Sequence, residues 1–251
     1  MREAGQARST VERMLIADNR SASTRFAHAI GDWTRAILIA LVLFLAIRNS
    51  VVEAFKIPTS SMEGTLLVGD FLLVNKAVYG ARIPGTPWSL PALEEPERGD
   101  VVVFHPPHEP EKNYVKRVVG LPLDTLEMRD KRLYLNGTPV YEPYAQHVDG
   151  RGDAVHPDME WQSYHLIASP RRGYHPTRDN WGPIVIPEDR LFVLGDNRDN
   201  SEDSRYWGFV SRDQVRGRPW MVYYSSNRAR VEEEANWVDR VRWARLGTVI
   251  R

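Results

Sequence analysis

Twelve consecutive apolar residues, Ala36 to Ile47, constrain this chain more than any other feature. A helix of that length rises only about 18 Å, against roughly 30 Å of bilayer hydrocarbon. Counting from Trp33 to Val52 gives twenty residues, enough to cross if Arg35 and Arg48 snorkel to the two interfaces. A buried helix of a soluble domain would carry a polar stripe, which the run lacks. A cleaved signal peptide would have a shorter leader and a small-x-small site where Arg48-Asn49 stands. The reading is a retained transmembrane anchor over 36–54, preceded by a polar cytoplasmic tail over 1–35. Arg20, Arg25 and Arg35 lie before the span and only Lys56 follows it closely, so the bulk of the chain is expected outside the cytoplasm.

Beyond Phe55 the apolar runs are short, rich in β-branched and aromatic residues, and separated by Gly, Pro, Asn and Asp. Phe71–Val74, Val101–Phe104, Tyr114–Val119, Leu191–Leu194 and Trp220–Tyr224 read as strands. Asn136-Gly137 supplies the two positive φ angles of a tight hairpin turn. The expected fold class is mainly β: an antiparallel β-sheet domain over 55–140 and 184–230 with a small inserted subdomain, preceded by one amino-terminal transmembrane helix. Residues 141–183, loaded with His, Pro, Asp and Arg, read as a small inserted accessory region. Over 231–251, Trp237, Val238, Val241 and Leu246 fall near helical spacing and predict a terminal helix.

Charge and composition narrow the chemistry. Lys plus Arg equals Asp plus Glu at 33 each, so no net field draws the protein to nucleic acid. The absence of Cys removes thiolate nucleophiles, disulfides and Cys-ligated zinc. His105-Pro-Pro-His108 cannot put its imidazoles on one helical face, and the acidic loop 196–203 fails the ligand positions of a calcium loop. No metal site and no cofactor are expected. Two features remain. Thr59-Ser60-Ser61 follows Pro58 on a turn just past the anchor, and Lys116 sits in Tyr114-Val-Lys-Arg-Val-Val119, where alternation puts Tyr114, Lys116 and Val118 on one face. A lysine drawn out of water there would lose its proton more easily and could serve a serine as base. Taken alone, the triplet also reads as a polar linker and Lys116 as a solvated edge residue.

The anchor, Phe55-Lys-Ile-Pro-Thr-Ser-Ser61-Met-Glu-Gly-Thr-Leu-Leu-Val-Gly-Asp70, Arg98-Gly-Asp-Val-Val-Val-Phe104, Tyr114 to Pro122, and Gly195-Asp-Asn-Arg-Asp-Asn-Ser-Glu-Asp-Ser-Arg-Tyr-Trp-Gly208 occur in order. Together they resemble bacterial type I signal peptidases over roughly residues 36–225. The resemblance implies Ser61 as nucleophile, Lys116 as general base, and Thr59 with the Ser61 amide as oxyanion hole. Ser201 would orient the lysine, Asp203 and Arg205 would form a supporting ion pair, and Gly195 and Asn197 would shape the floor. Gly64 departs from the family's more usual Pro and is expected to loosen the turn after the nucleophile. The implied activity is removal of signal peptides from exported preproteins at a bacterial inner membrane, by a single-pass protein whose catalytic domain lies on the extracytoplasmic side. Its implied partners are those preproteins and membrane lipid. A membrane-tethered β scaffold without catalysis, and a related serine–lysine peptidase with another substrate, are the competing readings.

Overall fold

The computed structural model describes residues 30–41, 44, 51–80, 91–150, 153–167, 173–227 and 237–250. The chain divides into two units, Met1–Arg48 and Asn49–Arg251. In the first, residues 30–41 and 44 are helical, so helix already covers 30–35, which the sequence reading left as tail. Among the described residues no helix is long and apolar enough to cross a membrane. Positions 42, 43 and 45–50 of the expected anchor lie outside the described residues, as do 1–29 of the expected tail. Val52–Ala54, assigned to the end of the anchor, instead open a strand.

Among the described residues the second unit contains eleven strands: β1 Val52–Lys56, β2 Asp70–Asn75, β3 Val101–Phe104, β4 Tyr114–Gly120, β5 Thr125–Arg129, β6 Arg132–Leu135, β7 Thr138–Pro139, β8 Trp181–Val185, β9 Arg190–Leu194, β10 Val210–Ser211 and β11 Val215–Ser225. A seven-stranded sheet runs β1-β2-β11-β3-β4-β9-β10, and a four-stranded sheet runs β7-β6-β5-β8. Every pairing between these strands is antiparallel, as the short alternating runs predict. Asn136 and Gly137 close the β6–β7 hairpin at φ 50° and 81°.

The second sheet takes strands from both sides of the expected insertion, because β8 begins at Trp181 and pairs with β5. The described residues between β7 and β8 belong to the same compact unit and return to that sheet, where Leu166 bridges Ile184 of β8. Their main ordered element is a 3-10 segment, Pro157–His165, with Met159 and Gln162 buried.

β3 lies between two cores. Val101 and Val103 join Ile57, Met62, Leu66, Leu72, Val74 and Val222. Val102 and Phe104 join Val118, Leu191, Val193, Val210 and Val215. All four β3 residues are buried, each contributing about 1.5–3 kcal/mol by area. Such burial on both faces explains why the segment reads as a continuous apolar run.

The carboxyl terminus differs from the expected helix. Helix is confined to Trp237–Arg240, followed by a 3-10 turn at Trp243–Arg245. Val241 then bridges Ser226, and Val249 bridges Met221. Val222 N–H donates to Thr248 O and Ile250 N–H to Trp220 O, each at 3.0 Å. Gly247 at φ 78° turns the chain, and the β-branched Thr248, Val249 and Ile250 satisfy the free groups of β11 better than a helix could.

Candidate active site

β1 delivers the chain to Ile57, whose N–H donates to Asp70 O at 2.8 Å. After Pro58 the backbone coils from Ser60 to Leu66, closed by Glu63 N–H to Ser60 O at 2.9 Å and Leu66 N–H to Met62 O at 2.8 Å. Met62 is 1% exposed and roots the turn in the core, while its neighbour Ser61 is half-buried. Gly64 has φ 104°, an angle the proline ring forbids. The turn is closed by hydrogen bonds and abuts Gln146, so here Gly64 is the residue the geometry requires and not a looser substitute.

β4 supplies the partner. Register pairs Lys116 with Val102, on the face that also carries Tyr114 and Val118 into the core of Phe104 and Val193. Lys116 is 4% exposed, and its Nζ donates to Ser61 Oγ at 2.6 Å. Burial lowers its pKa to about 8, with the Asp203 carboxylate pulling it back up and the Arg205 guanidinium pushing it down. A fraction of the amine is thus neutral near physiological pH, which is the condition for acting as a base. Thr59 Oγ1 lies 3.5 Å from Ser61 Oγ, on the open side of the turn.

The Gly195–Gly208 segment braces both groups from behind. Asn197 N–H donates to Ser61 O at 3.1 Å, Asn197 Nδ2 to Ser60 O at 3.2 Å, and Asn200 Nδ2 to Ser60 Oγ at 2.8 Å. A Cβ on Gly195 would run into Ser201 Oγ and the Ser61 carbonyl oxygen, so only glycine lets the loop approach this closely. Gly195 N–H donates to Asp203 Oδ2 at 3.1 Å. Burial would push the Asp203 carboxyl up, but Arg205, bonded at 2.8 Å to each carboxylate oxygen, holds it below its ordinary value. Among the described residues Ser201 Oγ, though buried, makes no hydrogen bond to Lys116 or to any other group, unlike the orienting contact the resemblance implies.

Several residues in this region carry no signal in the sequence. Arg117, on the opposite face from Lys116, forms a buried bidentate pair with Asp196 at 2.9 and 2.8 Å, and Thr65 Oγ1 donates to Asp196 at 2.5 Å. The accessory excursion reaches the site too: Trp161 Nε1 and Gln162 Nε2 both donate to Arg205 O, at 3.1 and 3.0 Å. Lys76, which its Asn75 neighbour marks as solvated, instead lies 3.2 Å from Glu53. His105 and His108 have structural partners: His105 Nδ1 meets Lys112 O at 3.0 Å, and His108 stacks on Trp207.

A cleft of about 890 Å³ opens over Ser61 and Lys116, walled by 55–62, 112–116, 199–202, His156, Asp158 and Tyr206. A hydroxyl and a buried amine in contact in an open cleft, on an antiparallel β body, fit a hydrolytic enzyme of the serine peptidase class. The chain belongs to the signal peptidase family, peptidase S26, whose family model matches residues 30–224. It is 43% identical to a signal peptidase I of Pseudomonas aeruginosa over 208 residues, covering 77% of this chain and 72% of the relative. Identity to a signal peptidase I of Pseudomonas fluorescens is 37% over 207 residues, with the same coverage. A solved signal peptidase I from Enterococcus faecalis aligns at 31% identity over 51% of this chain and 98% of that one, with a TM-score of 0.35.

Proposed function

We propose that this protein is a membrane-anchored serine endopeptidase that removes signal peptides from exported preproteins through a Ser61–Lys116 dyad. The observation that carries the reading is the 2.6 Å contact between Lys116 Nζ and Ser61 Oγ at a site where burial depresses the lysine pKa. Neutral Lys116 takes the Ser61 proton as Oγ attacks the scissile carbonyl, and the Thr59 hydroxyl with the Ser61 N–H stabilises the oxyanion. Lys116 then protonates the leaving amine and activates water to release the acyl group. Asp203, Arg205, Gly195 and Asn197 act by holding the turn and the lysine in register. The single-pass topology, with a cytoplasmic tail and the catalytic unit outside, rests on the apolar run and its flanking arginines. Ser61 follows that run so closely that cleavage is confined to the outer membrane surface.

The test is incubation of the detergent-solubilised full chain with a preprotein, followed by sequencing of the product's new amino terminus. Cleavage at one bond after the signal sequence, lost in Ser61→Ala, is the expected result. Unchanged cleavage by Ser61→Ala would overturn the assignment.

A further inference from the structure

Glu202 is the part of the cleft that the dyad chemistry leaves unused. It stands between Ser201 and Asp203, both buried, yet is itself exposed and lines the cleft. Among the described residues it makes no hydrogen bond or salt bridge. Of the other charges on the cleft wall, Lys56 lies over the Phe71 ring, 5.5 Å from its centroid, and the rest have a polar partner. Lys112 is bonded to Glu109 at 2.6 Å, Asp199 is held by Lys131 at 3.0 Å and by Arg178 at 3.5 Å, and Asp158 faces His156 at 3.8 Å.

Its side of the cleft follows from the chemistry. A base that takes the nucleophile's proton must hand it to the leaving nitrogen, so Lys116 Nζ faces the part of the substrate that departs first. Glu202 lines the cleft together with Lys112, Tyr114 and Lys116, and its charge acts on all three; this places it on the lysine side of the nucleophile. The wall leading into Ser61, by contrast, offers Phe55, Ile57 and Pro58 to the acyl portion.

From this juxtaposition we infer that Glu202 is a specificity-determining residue that favours preproteins carrying a basic side chain within the first two residues after the cut. The inference rests on the dyad reading above. An exposed pair of this kind is worth about 0.2–1 kcal/mol, or roughly a 1.4- to fivefold preference, with a comparable penalty for a like charge.

The experiment compares kcat/KM of the solubilised full chain on peptides that share one signal sequence and carry Lys or Glu at the first or second position after the cut. The Lys-to-Glu ratio cancels any effect of the variant on the dyad itself. At one of the two positions the wild type should prefer Lys by about twofold or more at low salt, and less at 0.5 M NaCl, where the Debye length is only a few ångströms. Glu202→Gln should bring the ratio toward one and Glu202→Arg should invert it. A wild-type ratio of one at both positions, or an unchanged ratio in Glu202→Arg, overturns the inference while leaving the dyad intact. Failure of the wild type to cut any of the peptides overturns the dyad reading and this inference with it.

Discussion

Lowering the pH should switch the enzyme off through one group. With Lys116 titrating at about 8, the neutral amine makes up about a half of the population at pH 8, a tenth at pH 7 and a hundredth at pH 6, and kcat/KM should fall in step. The same burial has a stability counterpart. The pKa of Lys116 is depressed in the fold from 10.5 to about 8, so between these values the unfolded chain binds the extra proton and stability rises with pH. Below about pH 8 the native state carries the buried ammonium, at a cost on the order of 3 kcal/mol relative to water. Lys116→Met removes that charge and should raise the urea midpoint at pH 7, with the gain shrinking as the pH rises toward 10.5. The assays are a fluorogenic peptide cleavage profile from pH 5.5 to 9.5 at constant ionic strength and urea titrations at pH 7 and 10. An acid limb near 6.5, the range of an imidazole, or a Lys116→Met protein less stable than the parent at pH 7 would refute the reasoning.

Thr59→Val should lose on the order of 10²-fold in kcat, as for other single oxyanion donors, while Thr59→Ser stays near the parent, both with unchanged circular dichroism. Gly195→Ala should lose most activity, because its Cβ meets Ser201 Oγ and the Ser61 carbonyl; normal kinetics would show that the loop can retreat without moving Ser61. Asp196→Asn leaves Arg117 buried opposite a neutral amide, and thermal unfolding should report a loss of about 3 kcal/mol or more.

What could be read from the chain in advance was what depends on neighbours. The period-two pattern of β4 places Lys116 on the apolar face of Phe104 and Val118, and the Asn136-Gly137 turn needs only local φ preferences. The Arg117–Asp196 pair escapes notice because its members lie 79 positions apart and each looks like an ordinary surface charge. The terminal segment misleads for a related reason: Trp237, Val238, Val241 and Leu246 suit a helix, but strand β11 and the Ser226 that follows it offer it backbone partners, which no local pattern announces. Ser201 illustrates a limit of motif reasoning, since its position matches while its hydroxyl makes no hydrogen bond among the described residues.

The central claim is that an amine able to lose its proton, and not merely a positive charge, serves Ser61. Lys116→Arg keeps charge and approximate size but introduces a guanidinium with pKa above 12, which cannot act as a base at neutral pH. Lys76→Arg is the companion control, because arginine can keep the pairing with Glu53 away from the cleft. Both proteins should fold by circular dichroism; cleavage of the preprotein should fall by at least about 10³-fold in Lys116→Arg and stay near the parent in Lys76→Arg. A folded Lys116→Arg protein that still cleaves at the parental rate would contradict the account.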